Sequence, residues 1–379
     1  MREYAGIGPL DEYPIHQSPR PVAWPESSDR NFYDRCYLNA HDRTGDLFLI
    51  TGYGVYPNLG TKDAYLLVRR GDVQTALHFG DALDPRGADR MEQQVGNYSI
   101  EVLEPLRRLR LVVEETEGIA VDLTWEGSFP PVQEQRHVMR QGSGTTLDAQ
   151  RFAQVGTWAG TVLIDGEELE VTPDVWVGTR DRSWGIRPVG EAVPAGKPHD
   201  PPFDGMWWLY LPLRFDDFAV VIIIQETPEG YRTLNDCTRV WPDGRVEQLG
   251  WPRVQITYAP GTREPTGATV TCSTPAGETL VIEVTSELGV ALHIGGGYGG
   301  DPDWNHGVWR GAGFTERVDY DLSDPAVNGR TMFGVIDHVG RAVLHGAGAD
   351  GMQGWGLFEH AALGRHDPTG FTDWFDLAP

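Results

Sequence analysis

Apolar runs rich in β-branched and aromatic residues, four to ten residues long, recur along most of the chain between short polar segments. Such runs are typical of β-strands. Xaa-Gly pairs such as Asp165-Gly166 and Glu229-Gly230 separate neighbouring runs and supply the positive φ that tight hairpin turns require. Regular strands at this spacing, with few helical patterns between them, predict an all-β protein built from antiparallel β-barrels or β-sandwiches.

A proline-dense segment separates the apolar runs of the first half of the chain from those of the second half. Residues 187–205 carry five prolines and show no periodic pattern. Because proline disfavours both helices and inner strands, this segment predicts a linker over residues 188–205. The linker separates two β-rich domains of similar size, 1–187 and 206–379.

Charge and composition narrow the classes of partner. The 379 residues include 31 Lys and Arg against 55 Asp and Glu, for a net charge of −24. Such a surface repels phosphate, which argues against a nucleic-acid partner. No apolar run is long enough to span a membrane, and the N-terminus lacks the pattern of a signal peptide. Three cysteines without paired spacing then favour reduced thiols and a cytoplasmic location.

The sequence predicts no cofactor and no metal. It has no P-loop and no zinc-ligand spacing. A GxGxxG match at 295–300 is followed by a segment without helical periodicity, whereas a dinucleotide site needs a helix there. This segment is predicted to be a loop between strands. With Trp304 and His306 at its end, it is also a candidate to close over a pocket.

The densest polar cluster beside a strand spans residues 180–187. Asp181 lies between two arginines, and Trp184 and Arg187 follow it. One interpretation is structural, with the cluster tying the strand end to the linker. In the other, Trp184 forms a pocket wall while Asp181 or Arg187 orients a substrate oxygen.

Two further strands carry candidate residues. Trp208 and Tyr210 share one face of the strand that begins the second half, so that face forms either ordinary core or the wall of a ligand cavity. Glu359 and His360 are adjacent, so only one of them points inward. A carboxyl facing an aromatic cavity has its pKa raised by desolvation and can act as a general acid. The alternative is an ion-paired Glu359 near a barrel rim.

Three segments carry a family resemblance: GTRDRSWGIRP at 178–188, the aromatic and apolar stretch 207–236, and GWGLFEHAALGRHDPTGF at 354–371. They resemble an uncharacterised bacterial family with an Arg-Asp-Xaa-Ser-Trp-Gly motif. That family is distantly similar to hydroxyneurosporene synthase (carotenoid 1,2-hydratase) and to AttH-like proteins. The resemblance implies two lipocalin-like β-barrels in tandem and a hydrophobic small-molecule substrate or ligand.

The first function hypothesis is a cofactor-independent lyase or isomerase, hydratase- or cyclase-like, acting on a terpenoid, steroid or polyketide-like molecule. Asp181 or Glu359 would be its acid, and the π faces of Trp184, Trp208 and Trp304 would stabilise a substrate cation. The substrate-binding candidates are Trp184, Arg187, Trp208, Tyr210, Trp304, His306 and His360.

The second hypothesis is a non-catalytic carrier of such a molecule, and a third is a structural protein whose barrels are filled by side chains. An acid that faces a cavity favours the enzyme, whereas a cavity too small for a ligand favours the structural protein. The sequence leaves open whether the chain forms a homo-oligomer.

Overall fold

The computed structural model describes residues 7–87, 90–142, 144–190, 202–299 and 301–379. Strands dominate this part of the chain, and its helices are short: α1 (Pro325–Asn328) and the 3-10 turns Pro9–Glu12, Thr331–Phe333 and Asp367–Thr369. The first half contains β1 (Phe32–His41), β2 (Leu47–Tyr56), β3 (Thr61–Arg70), β4 (Val73–Ala82), β5 (Gln94–Val95), β6 (Tyr98–Glu104), β7 (Arg108–Thr116), β8 (Ile119–Gly127), β9 (Val132–Gln133), β10 (His137–Gln141), β11 (Gly144–Ile164), β12 (Glu167–Val171) and β13 (Val177–Ile186). The second half contains β14 (Gly205–Arg214), β15 (Ala219–Glu226), β16 (Arg232–Val240), β17 (Val246–Gln248), β18 (Arg253–Tyr258), β19 (Pro265–Ser273), β20 (Thr279–Ala291), β21 (Phe314–Asp321), β22 (Ile336–His345) and β23 (Met352–Gly364).

These strands form two curled antiparallel sheets. Within the described residues, the first sheet has fourteen strands in the order β21-β4-β3-β2-β1-β13-β11-β8-β7-β6-β5, and β9, β10 and β12 pair with the long strand β11. The second has nine, in the order β17-β16-β15-β14-β23-β22-β20-β19-β18. Strand twist curls each sheet, and the rings of Phe79 in β4 and Tyr98 in β6 are 5.9 Å apart near the two ends of the first sheet. The prediction of an all-β, lipocalin-like pair of antiparallel barrels is confirmed, in the form of two half-barrels.

One strand of the second half joins the first sheet. β21 pairs with β4 along its whole length. Gln74 in β4 adds a second connection, because its amide nitrogen donates to the carbonyls of Ala291 (2.9 Å) and Ile294 (2.6 Å) and its oxygen accepts from the Ala291 N–H (3.1 Å). The two halves of the chain are therefore joined by backbone pairing as well as by side-chain packing.

Buried apolar side chains form one large cluster within each sheet and another that draws on both sheets. Because side chains alternate along a strand, β14 contributes to two of these clusters. Trp207 and Leu209 lie in the cluster of the second sheet, whereas Trp208 and Tyr210 lie in the shared cluster, which we call the intersheet cluster. The intersheet cluster surrounds the candidate site.

Parts of two predicted segments lie outside the described residues. They are residues 191–201 of the predicted linker and Gly300 of the glycine-rich segment, whose preceding residues 292–299 form an irregular loop after β20. In the ranges that the structure describes, no helix has the length and apolar character needed to cross a membrane. Cys36, Cys237 and Cys272 are free thiols.

Candidate functional site

A cavity of about 220 Å³ lies in the intersheet cluster, with walls from both sheets and from the loop after β20. Apolar side chains such as Leu147 and Ile223 form part of its lining. Several charged and aromatic side chains also reach it: Tyr33, Arg35, Tyr37, Glu134, Arg151, Asp181, Arg187, Trp208, Tyr298 and Glu359. An apolar space with a few convergent polar groups is the usual form of a small-molecule site.

A pair of carboxyl groups lies at the wall formed by the second sheet. Glu359 on β23 is directly opposite Asp337 on β22 in the strand register. The indole N–H of Trp208 donates to Glu359 Oε1 at 2.5 Å, and the Tyr37 hydroxyl donates to Asp337 Oδ2 at 2.6 Å. Glu359 lines the cavity, whereas Asp337 is fully buried behind it.

Burial raises the pKa of both carboxyls of this pair. It raises the pKa of Glu359 to about 7, although Arg151 opposes the shift. Burial and then the charge of Glu359 raise the pKa of Asp337 well above its usual range. Two neighbouring carboxyls in a dry site resist double ionisation in this way. Glu359 can therefore act as an acid below pH of about 7 and as a base above it.

An arginine bridges two more carboxylates in the first sheet. Arg151 donates to Glu134 at 2.6 Å, and its guanidinium is 4.0 Å from Asp181. The same guanidinium lies over the rings of Tyr210 (4.5 Å) and Trp208 (5.7 Å). Burial raises the pKa of both Glu134 and Asp181, and Arg151 opposes that shift in each. This network brings two carboxylates and a cation to the cavity.

The loop after β20 supplies a tyrosine hydroxyl. Arg35 donates to the Tyr298 hydroxyl oxygen at 2.6 Å, and the Tyr65 hydroxyl is 3.2 Å from the same atom. Gly297 has φ +77°, and a Cβ there would lie 2.7 Å from the Trp304 ring. Glycine therefore lets the loop lie against Trp304 and brings Tyr298 into the cavity wall.

Comparison with known protein families shows which family this chain belongs to. The model of a family of unknown function, DUF8625, matches residues 7–372. The chain belongs to DUF8625. No curated protein sequence matches it.

Solved structures share the fold of this DUF8625 protein. The crystal structure of a protein assigned as AttH from Nitrosomonas europaea aligns with a TM-score of 0.50 and 13% identity, covering 87% of this chain and 92% of that one. Kievitone hydratase from Nectria haematococca aligns with a TM-score of 0.49 and 12% identity, covering 86% and 88%. The distant similarity to AttH-like proteins expected from the sequence is therefore found at the level of the fold.

Four of the residues singled out from the sequence of this DUF8625 chain meet at the cavity. They are Asp181, Arg187, Trp208 and Glu359. Tyr210 contacts the cavity network through Arg151, as described above. The segment 180–187 and the segment 355–360 thus contribute to the same region.

Trp304 and His306 lie one layer behind the cavity. The His306 ring is 5.0 Å from that of Tyr298 and 4.6 Å from that of Trp304. Trp304 in turn stacks on His78, with centroids 4.5 Å apart. Their contacts are with other aromatic side chains that support Tyr298, and neither residue lines the cavity.

His360 and Trp184 face away from it. His360 is buried on the second-sheet side of β23, where Nδ1 donates to the Trp208 carbonyl (2.6 Å) and Nε2 accepts from the Tyr258 hydroxyl (2.9 Å). Burial lowers the pKa of His360 to about 3, so the ring is neutral. Trp184 is 39% exposed and is not part of the cavity lining.

Sequence reasoning missed Asp337, Arg35, Arg151, Glu134 and Tyr298. The sequence of β22 carries one usable signal, an aspartate directly after Ile336 at the start of the strand. The others come from β1, β11, the residue after β9 and a loop, and only the folded sheets bring them together. In the part of the chain that the structure describes, no group of three or more His, Cys, Asp or Glu side chains has the arrangement of a metal site.

Proposed function

We propose that this protein is a lyase or isomerase that acts on a small hydrophobic substrate, with Glu359 transferring a proton to or from a substrate carbon. The observation that carries the proposal is a carboxyl in the cavity wall, opposite a second buried carboxyl, whose pKa is raised to about 7 by burial. A carrier needs only apolar walls and a polar anchor. Burying two adjacent carboxyls is costly, and it is typical of sites that move protons.

A second acid–base group is available in the same cavity. Asp181 and Glu134 share Arg151 and both line the cavity. When Glu359 gives its proton to one carbon, either carboxylate can receive a proton from an attacking water or from another carbon. Transfer from water gives hydration of a double bond, and transfer from carbon gives its isomerisation.

The size of the cavity supports a small substrate. Sites for drug-sized ligands usually measure about 300–1,000 Å³, and this cavity measures about 220 Å³. Within the range of terpenoid, steroid and polyketide-like molecules, the proposal therefore favours the smallest members.

Deuterium incorporation tests the proposal. Protein in D2O is mixed with small alkenes, conjugated carbonyl compounds and the matching alcohols, and carbon-bound deuterium is measured by mass spectrometry. Glu359→Gln should lower incorporation by about 10²-fold or more, the usual contribution of a positioned acid–base group. Glu283→Gln is the matched control, because Glu283 is an exposed residue of β20 with a side chain 62% accessible.

Two results would count against the proposal. Incorporation that survives Glu359→Gln would remove Glu359 from the mechanism. Binding across the panel without any deuterium incorporation would instead favour the carrier, the alternative that the apolar walls of the cavity also support.

A further inference from the structure

Arg187 differs from the other two arginines at the cavity. Arg151 is paired with Glu134, and Arg35 donates to Tyr298. Arg187 lies over the rings of Tyr33 and Tyr298, each 5.5 Å from its guanidinium carbon. Among the described residues, its guanidinium has no carboxylate or hydrogen-bonding partner. It is a cavity-lining cation whose five N–H donors are available to a ligand.

The Tyr298 hydroxyl beside it is also suited to donate. Because a guanidinium only donates, the Tyr298 oxygen is the acceptor of the Arg35 bond. When Tyr65 donates the second bond, the proton of Tyr298 is free to point into the cavity that Tyr298 lines. The positive charge of Arg35 behind this hydroxyl makes it a stronger donor to an oxyanion.

These charges do not suit a substrate cation. Three arginines border the cavity, and one of them lies over the Trp208 ring. Trp304 and Trp184, the other indoles expected around a cation, do not line the cavity. A carbocation beside Arg187, which lacks a carboxylate partner, would be repelled by its charge, whereas an oxyanion developing there would be stabilised.

We propose that the substrate is a small conjugated carbonyl compound whose oxygen is held by Arg187 and Tyr298. This inference rests on the proposed function and names the substrate class of the same site. It replaces stabilisation of a carbocation by aromatic rings with stabilisation of an enolate by the two donors.

The proposed reaction of such a substrate is addition of water. The water oxygen bonds to the β-carbon, its proton passes to Asp181 or Glu134, and the π electrons move to the carbonyl oxygen to give an enolate at Arg187 and Tyr298. Protonated Glu359 then gives its proton to the α-carbon, and the carbonyl re-forms. The carboxylic acid formed at Asp181 or Glu134 in the first step then releases its proton to solvent, and Glu359 takes up a proton from solvent. Water is therefore the only reagent consumed.

Isothermal titration calorimetry with a matched pair of ligands tests the oxygen anchor. The pair is benzalacetone, a conjugated ketone, and phenylbutene, the corresponding hydrocarbon without the oxygen. The wild-type protein should bind the ketone about tenfold or more tightly, the value of one hydrogen bond from a charged donor. Arg187→Gln should remove most of this preference and leave phenylbutene binding unchanged. Arg187→Lys should restore part of it, and Tyr298→Phe should reduce it.

Arg253→Gln is the control, since Arg253 is exposed on β18 and remote from the cavity lining. Equal binding of the two ligands, no ketone binding up to about 10 mM, or a preference that survives Arg187→Gln would each overturn the inference. The proposed function has a separate readout. Deuterium incorporation that depends on Glu359 with substrates lacking a carbonyl would uphold it while the inference fails.

Discussion

At the scale of single residues, the protonation of Glu359 contributes to the pH dependence of stability. Its folded-state pKa is about 7, above the ordinary value of 4.5. The folded protein therefore binds a proton at Glu359 more tightly than the unfolded chain, and this contribution to stability is lost as pH rises from about 4.5 to about 7. We expect the melting temperature of the wild type, relative to that of Glu359→Gln, to fall over this window, as measured by circular dichroism of both proteins.

The comparison isolates Glu359, because glutamine does not titrate and the other titratable groups are common to both proteins. Activity that depends on protonated Glu359 should decline above pH of about 7. The same slope in the wild type and in Glu359→Gln would contradict the pKa assignment.

The two carboxylates around Arg151 should differ in their effect on stability. Glu134 is the closer partner, at 2.6 Å, and its side chain is 2% exposed, whereas Asp181 is 4.0 Å away. Glu134→Gln breaks the buried pair and should cost about 3–5 kcal/mol of unfolding free energy. Asp181→Asn leaves Arg151 paired with Glu134 and should cost clearly less.

Urea denaturation of both variants measures this difference. If Asp181→Asn destabilises as much as Glu134→Gln, the structural interpretation of the 180–187 cluster gains support. A folded Asp181→Asn variant with impaired turnover would instead support a catalytic role for Asp181.

At the scale of elements, β21 makes the first sheet depend on the second half of the chain. A fragment ending at residue 190 would lose the partner of β4 and leave that strand as an unpaired edge. We expect this fragment to aggregate when expressed alone and to become soluble when co-expressed with residues 202–379. Size-exclusion chromatography and light scattering distinguish these outcomes, and a soluble monomeric fragment with cooperative unfolding would contradict the expectation.

Predictions from the sequence were correct where they used the alternation of side chains between the two faces of a strand. This alternation put Trp208 and Tyr210 on one face of β14, and the structure has both in the intersheet cluster. It also required Glu359 and His360 to face opposite sides of β23, and they do. The same rule could not predict the partners of these residues, because Asp337 meets Glu359 only through the register of β22 with β23. The position of the loop after β20 likewise depends on how the two sheets pack. The local sequence pattern does not encode that packing.

At the scale of the whole molecule, the site belongs to neither sheet alone. The cavity takes its acid pair from the second sheet, its arginine network from the first and Tyr298 from a loop. Any ligand bound there contacts both sheets and should stabilise the molecule as one unit. Partners also make charged residues tolerable at this apolar interface, since Arg151 is paired with Glu134, Arg35 donates to Tyr298 and Asp337 accepts from Tyr37.

Whether the space between the sheets is a ligand site can be tested by filling it. Ile223 on β15 lines the cavity, whereas its neighbour Ile222 points into the packed core of the second sheet. Ile223→Phe should leave stability nearly unchanged, because the larger ring enters existing space, and it should abolish ligand binding. Ile222→Phe overpacks a close-packed core and should cost about 1–3 kcal/mol, while binding by the folded fraction persists. Chemical denaturation and titration calorimetry measure the two effects. A strongly destabilised Ile223→Phe would mean that side chains already fill the space, as the structural hypothesis requires.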